Sequence, residues 1–348
     1  YGDSQMMELI SKNSYSKRVL ILVRHPGHFD LFKPIASYFS SFCFTFFSYS
    51  TKELDFYKND ISSMVNAIWV NEIEMLKFKM ESFDLFLTYD AQNVQGHKTG
   101  LEYISIAKKA GVPVGEMQHG LFQIGFNAFH EPSNRLFFDE SIPSVSQADF
   151  FFSWFPCIND SITMGYPLYL SDQASKVPPI DNKTIAIFTN LHWKVFSYAE
   201  RVKIIKGLSD FIESNPEYYF IWKRHHGEIQ SAEVSSAISI VEGLSGRNFS
   251  DINNLKIIDD YVEINRLINV AYYCISTVST ILLDIEAGDK KTAVIVTDST
   301  KNLMSKYSSY ADFFKTNSPN NFKNLTSDYL LPFNPNVLVN FFKNLWRK

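Results

Sequence analysis

Residues 100–120, GLEYISIAKKAGVPVGEMQHG, decide how this chain folds. The first twelve read as a helix stopped at Gly111, where a left-handed turn is easiest for glycine. A short apolar strand, VPVGEM, follows at once, and it ends in Gln118, His119 and Gly120. A helix leading straight into a short buried strand is half of a βαβ unit, which predicts a parallel sheet covered on both faces.

The same alternation extends outward. RVLILVRHP (18–26) reads as a strand and FDLFKPIASYFS (29–40) as the helix after it, with FCFTFFSYS (42–50) a second strand. NAIWVNEIEMLKFKM (66–80) reads as a helix leading to FDLFLTYD (83–90). ADFFFSWF (148–155) is a strand, CINDSITMG (157–165) a short helix-like piece, and GYPLYLSDQASKVPPIDNK (165–183) a polar, proline-bearing linker. Strand and helix signals then restart: TIAIFTN (184–190), YAERVKIIKGLSDFIESNP (198–216), YYFIWKRHHGE (218–228), NLKIID (254–259), YYCIST (272–277), STILLDIEAG (279–288) and KTAVIVTD (291–298). The expected architecture is α/β, two Rossmann-like domains facing across a cleft. The boundaries are 1–170 for an acceptor-side domain, 171–183 for the linker and 184–348 for a nucleotide-sugar-binding domain. The C-terminal segment NPNVLVNFFKNLWRK (334–348) reads as a helix, which could pack back on the first domain.

The composition narrows the function. A net charge of −4 over 348 residues lacks the basic surplus of a general nucleic-acid binder. Cys43, Cys157 and Cys274 stand far apart in apolar contexts, as reduced buried thiols do, and this predicts a cytoplasmic protein. The N-terminal residues lack a signal peptide's charged-then-apolar pattern, and no apolar run is long enough to span a bilayer.

Ligands of parallel α/β sheets bind beyond the C-terminal strand ends, so the residues that follow strands are the candidates. His28 and Asp30 follow the first strand, as an acceptor-side loop or as a turn with Asp30 capping the helix. Glu116 ends the strand at 112–116, and a carboxylate there beside Gln118, His119 and a glycine suits a catalytic base. Thr189, Asn190 and His192 follow the first strand of the second half, as site residues or as a plain Asn turn. Lys223, Arg224, His225 and His226 end a buried strand in four potential cations, which points to an anion site. Adjacent strand histidines face opposite ways and cannot readily share one metal ion. Ser276, Thr277, Ser279 and Thr280 lie between a strand and a helix, where hydroxyls and free N–H groups converge on a phosphate or cap the helix. Glu286 sits in that helix at a spacing that could bring it towards a ribose or sugar hydroxyl.

Taken in order, the "GH" after the first strand, "MGYPLYLSD" entering the linker, "KRHH", and the Ser/Thr group followed by "EAGDKK" resemble a GT-B glycosyltransferase over nearly the full chain. Gly165, Pro167 and, with one extra residue, Asp172 are similar to the Gly-x-Pro-x-x-Asp phrase that closes the first GT-B domain. Within that fold, GEMQHGLFQ with TVSTILLDIEAGDKKTAV most resembles the bacterial capsule and lipopolysaccharide transferases that use CMP-Kdo. The resemblance implies Glu116 as acid/base. It implies Lys223, His225, Thr277 and Ser279 as phosphate contacts and Glu286 as a nucleotide contact.

Two departures stand out. The proline expected after Lys-x-His is absent, and Asn190 occupies the region where retaining Kdo transferases carry a nucleophilic aspartate. Either the nucleophile lies elsewhere, the enzyme inverts, or Asn190 replaces an acid. The expected reaction needs no metal and no cofactor, since a CMP-sugar leaves on one phosphate. Its partners would be a nucleotide sugar and a glycan or glycolipid acceptor, with peripheral contact at the inner face of a bacterial inner membrane. Rival readings are a transferase using a UDP-, GDP- or CDP-linked donor, a sugar-nucleotide epimerase, and a non-catalytic polysaccharide-binding protein.

Overall fold

The computed structural model of the chain describes residues 16–24, 26–49, 58–92, 97–121, 146–156, 161–167, 183–260, 262 and 264–347. Residues 168–182 of the predicted linker, with Asp172, and also Cys157 and the "FQIG" that follows Leu121, lie outside them. The chain divides into two compact units: unit 1 is Tyr1–Leu170 with Leu331–Lys348, and unit 2 is Ser171–Leu330.

Unit 1 is built on strands β1 (Lys17–Leu22), β2 (Phe42–Ser48), β3 (Ala67–Asn71), β4 (Leu85–Thr88), β5 (Val114–Met117), β6 (Phe150–Ser153) and β7 (Ile162–Thr163). Their order across the sheet is β3-β2-β1-β4-β5-β6-β7, with every pairing parallel. The sequence alternates short buried runs with helices because the sheet is covered on both faces: Val19, Leu20, Ile21, Phe46 and Phe86 have no exposed surface. The strand order reverses between β1 and β4, which places a crevice at their C-terminal ends.

Helix α1 (Pro26–Tyr38) begins earlier than the sequence pattern predicts. Proline at the first helical position has its φ already set and no N–H to leave unpaired, so His28 and Asp30 lie inside the first turns and Asp30 is not the cap. His28 Nδ1 instead accepts the Arg24 backbone N–H at 3.3 Å.

Two expectations fail here. Residues 67–71 form edge strand β3 rather than a helix, because Ile68, Trp69 and Val70 are β-branched or aromatic and extend the sheet beside β2. Buried Asn66 fixes the turn into β3 by donating to the carbonyls of Ala36, Phe39 and Phe42. Asn71 then caps the single-turn helix α2 (Glu72–Met75) through a capping box with Glu74. In the helix-like piece predicted at 157–165, Ile162–Thr163 is a short strand paired with β6.

The C-terminal helix α3 (Pro335–Leu345) belongs to unit 1. Phe341 packs edge-on against Phe150 and Phe152, Phe342 against Phe39 and Phe42, and Trp346 against Phe42. The returning chain crosses Gly165, where Tyr166 N–H donates to Leu331 O at 2.9 Å and Asn334 N–H to Met164 O at 2.8 Å.

Unit 2 repeats the plan with β8 (Thr184–Thr189), β9 (Tyr219–Arg224), β10 (Leu255–Ile258), β11 (Tyr273–Thr277) and β12 (Lys291–Ile295). These are ordered β10-β9-β8-β11-β12 and are all parallel. The order reverses between β8 and β11. Helix α4 (Tyr198–Ser214) starts with a Ser197–Glu200 capping box, and α5 (Ala232–Ser245) ends at Gly246, whose φ is 68°.

Candidate functional site

In each unit the polar residues gather at the strand-order reversal. In unit 1 the loops after β1, β4 and β5 bring together Arg24, His28, Tyr89, Asp90, Gln92, His97, Glu116 and His119. The His28, Tyr89 and His119 rings form a triangle with centroids 4.4, 4.9 and 5.4 Å apart.

Glu116 has no exposed surface. Gln92 Nε2 donates to its two carboxylate oxygens at 2.9 and 2.8 Å. Burial is the main reason its carboxyl is pushed up to about 7; the hydrogen bonds from Ser146 and Gln92 oppose this and the nearby charge of Asp90 adds to it. Such a group can both take and give a proton near neutrality.

Asp90, equally buried, is surrounded by partners for its charge: Tyr49 Oη donates at 3.0 Å, His97 Nε2 lies at 3.3 Å and Arg24 Nε at 3.5 Å. Burial lowers the His97 imidazole and outweighs the attraction of Asp90. His119 falls to about 3, through desolvation first and then the charges of His97 and Arg24. Unit 1 therefore holds two neighbouring buried carboxylates with different partners, Glu116 on an amide and Asp90 among a phenol, an imidazole and a guanidinium. Gln118 is engaged within the protein, its amide nitrogen donating to Gly120 O and its oxygen accepting Trp154 N–H. Asp30 is half-buried in α1, close enough for its charge to act on Tyr89.

The raised carboxyl of Glu116 has a consequence for stability. The unfolded chain loses that proton near the ordinary 4.5 and the folded chain near 7. The contribution is fully present below about 4.5 and is lost as pH rises through about 7. Glu116→Gln has no proton to lose, so its melting temperature should rise relative to the wild type between about pH 5 and about pH 8. Thermal melts at the two pH values check this, and a constant difference contradicts it.

In unit 2 the loops after β8, β9 and β11 meet. Asn190 is tied across the reversal point: its backbone N–H donates to Thr277 Oγ1 at 3.2 Å, its side-chain oxygen accepts from that hydroxyl at 2.5 Å, and its amide nitrogen reaches Val278 O at 3.3 Å. The His192 and His225 rings stack at 4.4 Å with an interplanar angle of 14°, and His226 lies 4.1 Å from His225. Lys223 Nζ donates to Arg224 O, and burial lowers its ammonium. Arg224 forms a fork with Asp259 at 2.7 and 2.5 Å.

The Ser/Thr group is less uniform than its sequence suggests. Ser276 is fully buried at the end of β11, with its hydroxyl on Thr277 O. Ser279 Oγ accepts Ile281 N–H at 3.4 Å, and Thr280 stands at the cap of a seven-residue helix, Ile281–Ala287, with no side-chain capping bond. Glu286 accepts both the N–H and the hydroxyl of Ser327, at 2.7 and 2.6 Å. Thus Asn190, Thr277, Lys223, Arg224 and His225 come together, while Glu286 is engaged at Ser327.

The sequence reading passed over Tyr89, Asp90, Gln92 and His97, although Thr-Tyr-Asp directly after an apolar strand carries the same signal that marked Glu116. It also passed over Glu228. That carboxylate has no exposed surface, and its hydrogen bonds run to the loop after β8. Among the described residues no group of three or more His, Cys, Asp or Glu is arranged to hold a metal ion. No described helix is long and apolar enough to cross a membrane.

No protein-family profile and no curated protein sequence matches the chain. Solved structures do. The UDP-GlcNAc 2-epimerase of Methanocaldococcus jannaschii superposes with a TM-score of 0.54 at 12% identity, covering 94% of this chain and 99% of that one. The Neisseria meningitidis UDP-GlcNAc 2-epimerase, bound to UDP-GlcNAc, gives 0.52 at 12% identity over 82% of this chain and 84% of that one. Staphylococcus aureus MnaA with UDP gives 0.52 at 11% over 82% and 81%. At such identities the likeness is one of fold, and the fold is GT-B-like α/β, with a mainly parallel sheet in each of two units.

Proposed function

We propose that the chain is a sugar-nucleotide enzyme, a glycosyltransferase that takes its donor on unit 2 and activates an acceptor hydroxyl with Glu116 of unit 1. The observation that carries this reading is the state of Glu116. It is a wholly buried carboxyl at a strand's C-terminal end, held through both oxygens by one amide and poised near neutrality. The acceptor is a glycan or glycolipid hydroxyl. As its oxygen attacks the anomeric carbon, its proton passes to Glu116 and the glycosyl–phosphate bond breaks. Negative charge then develops on the departing phosphate, where Lys223, Arg224, His225 and the hydroxyl of Ser279 offer donors, while the Thr277 hydroxyl is engaged by Asn190 and holds the loop. CMP-Kdo is the donor of first choice, on the resemblance of the Glu116 loop and the 277–294 segment to Kdo transferases. With both ends of the Asn190 amide in hydrogen bonds to unit 2, the reading assigns it to shaping the donor loop.

A second reading, a sugar-nucleotide epimerase on a UDP-linked sugar, is favoured by the Asp90–Glu116 pair. Inverting a sugar carbon removes a proton and returns one, which calls for two acid/base groups. Incubating the protein in deuterated buffer with CMP-Kdo or with UDP-GlcNAc, with and without an oligosaccharide acceptor, separates the two. Nucleotide release that depends on acceptor supports transfer. Deuterium entering an unchanged pool of UDP-sugar without acceptor overturns transfer in favour of epimerisation.

A further inference from the structure

The loop after β8 is held from an unusual direction. Its Leu191 N–H donates to Glu228 Oε1, and Thr189 Oγ1 donates to Glu228 Oε2 at 2.9 Å while accepting Trp222 Nε1–H at the same distance. The carbonyl of the same residue, Leu191, is held by Arg201, only 4% exposed, whose Nε donates to it at 2.7 Å. One residue before Glu228, Gly227 lies directly beneath His192. A Cβ built at Gly227 would sit 2.5 Å from His192 Cδ2, so no larger residue leaves that ring where it is. His225, two residues before Gly227, stacks on the same His192 ring. The segment His225–Glu228 is thus keyed to the segment Thr189–His192 by one buried carboxylate, one missing side chain and one ring stack.

We infer that Glu228 and Gly227 are positioning residues that fix His192 against His225 at the strand-order reversal of unit 2. A carboxylate does this better than an amide. Both bonds from the loop are donated, and a glutamine would turn its own N–H₂ towards one of the donors. The inference deepens the donor-side reading of unit 2 and rests on it only for the consequence in nucleotide affinity.

Histidine-selective NMR tests it, with His192→Asn used to assign the His192 resonance. In the wild type, desolvation first, then the charges of His226 and Arg201, hold the His192 imidazole down at about 4. In Glu228→Gln the freed loop exposes the ring, and its midpoint should rise by at least about one pH unit. Should Glu228→Gln fail to fold, Gly227→Ala makes the same prediction by displacing the ring with Glu228 intact. An unchanged His192 midpoint in a folded variant overturns the positioning role. A shifted midpoint with unchanged affinity for CMP and UDP upholds it and counts against the donor-side reading instead.

Discussion

Glu116→Gln is expected to lower turnover by about 10²–10⁴-fold while leaving nucleotide affinity within a few-fold. The substitution keeps the shape and the burial. It removes, among the described residues at the ends of β1, β4 and β5, the one group whose carboxyl is pushed up to about 7 and so can accept a proton from an acceptor hydroxyl at neutral pH. Glutamine cannot accept that proton at any working pH. The wild type's activity should also show an acid limb near pH 7, where Glu116 becomes protonated, and the residual activity of the variant should lack it. Steady-state rates over pH, paired with calorimetric nucleotide titration, read both. Normal turnover in the variant removes Glu116 from the chemistry.

Gly165→Ala should cost about 2–4 kcal/mol, read as a fall of roughly 5–15 °C in melting temperature. Two independent causes act at this position. Gly165 has φ of 80°, which an alanine adopts at a cost, and a Cβ there would lie 2.2 Å from Pro332 O, a backbone atom that cannot swing away. Relief requires the 331–334 segment to move off Met164 and Tyr166, breaking the hydrogen bonds that hold the returning chain beside the end of β7. Differential scanning calorimetry checks it, and a change under about 1 kcal/mol would mean that the crossing is looser than described.

The glycine of the "MGYP" phrase shows what was legible in the sequence and what was not. Its place at the end of the first strand–helix set was readable from composition, but its cause was not, because the clashing carbonyl comes from residue 332. Strands such as β1, β5, β8 and β11 were legible because both faces of a parallel sheet are buried, which leaves short unbroken apolar runs bounded by polar loops. Edge strand β3 was misread. Apolar residues dense enough to match a helical stripe also match a strand, and only pairing with β2 decides between them.

The same limit applied to the site. Glu116 could be picked out because a carboxylate ends a buried run, and Asp90 carried the identical signal one strand earlier. Glu228 could not be found, since its bonds reach Leu191 and Thr189 in another loop. Ser276 looked equivalent to Thr277 in sequence. Both are completely buried and they differ in partner: the Ser276 hydroxyl donates to the neighbouring Thr277 carbonyl, while the Thr277 hydroxyl crosses to Asn190 in another loop.

The central claim is that unit 2 takes a nucleotide, and nucleotide-induced stabilisation measures it most directly. CMP, CDP, UDP and GDP would be compared by thermal shift at equal millimolar concentration. A ligand at about 100 times its dissociation constant stabilises by roughly 2.7 kcal/mol, well within detection. The account predicts stabilisation by at least one of them, with CMP foremost for a Kdo donor and UDP foremost for the second reading. The shift should be reduced in Lys223→Ala. No stabilisation by any of the four nucleotides would contradict the account and leave a GT-B-like fold serving some other ligand.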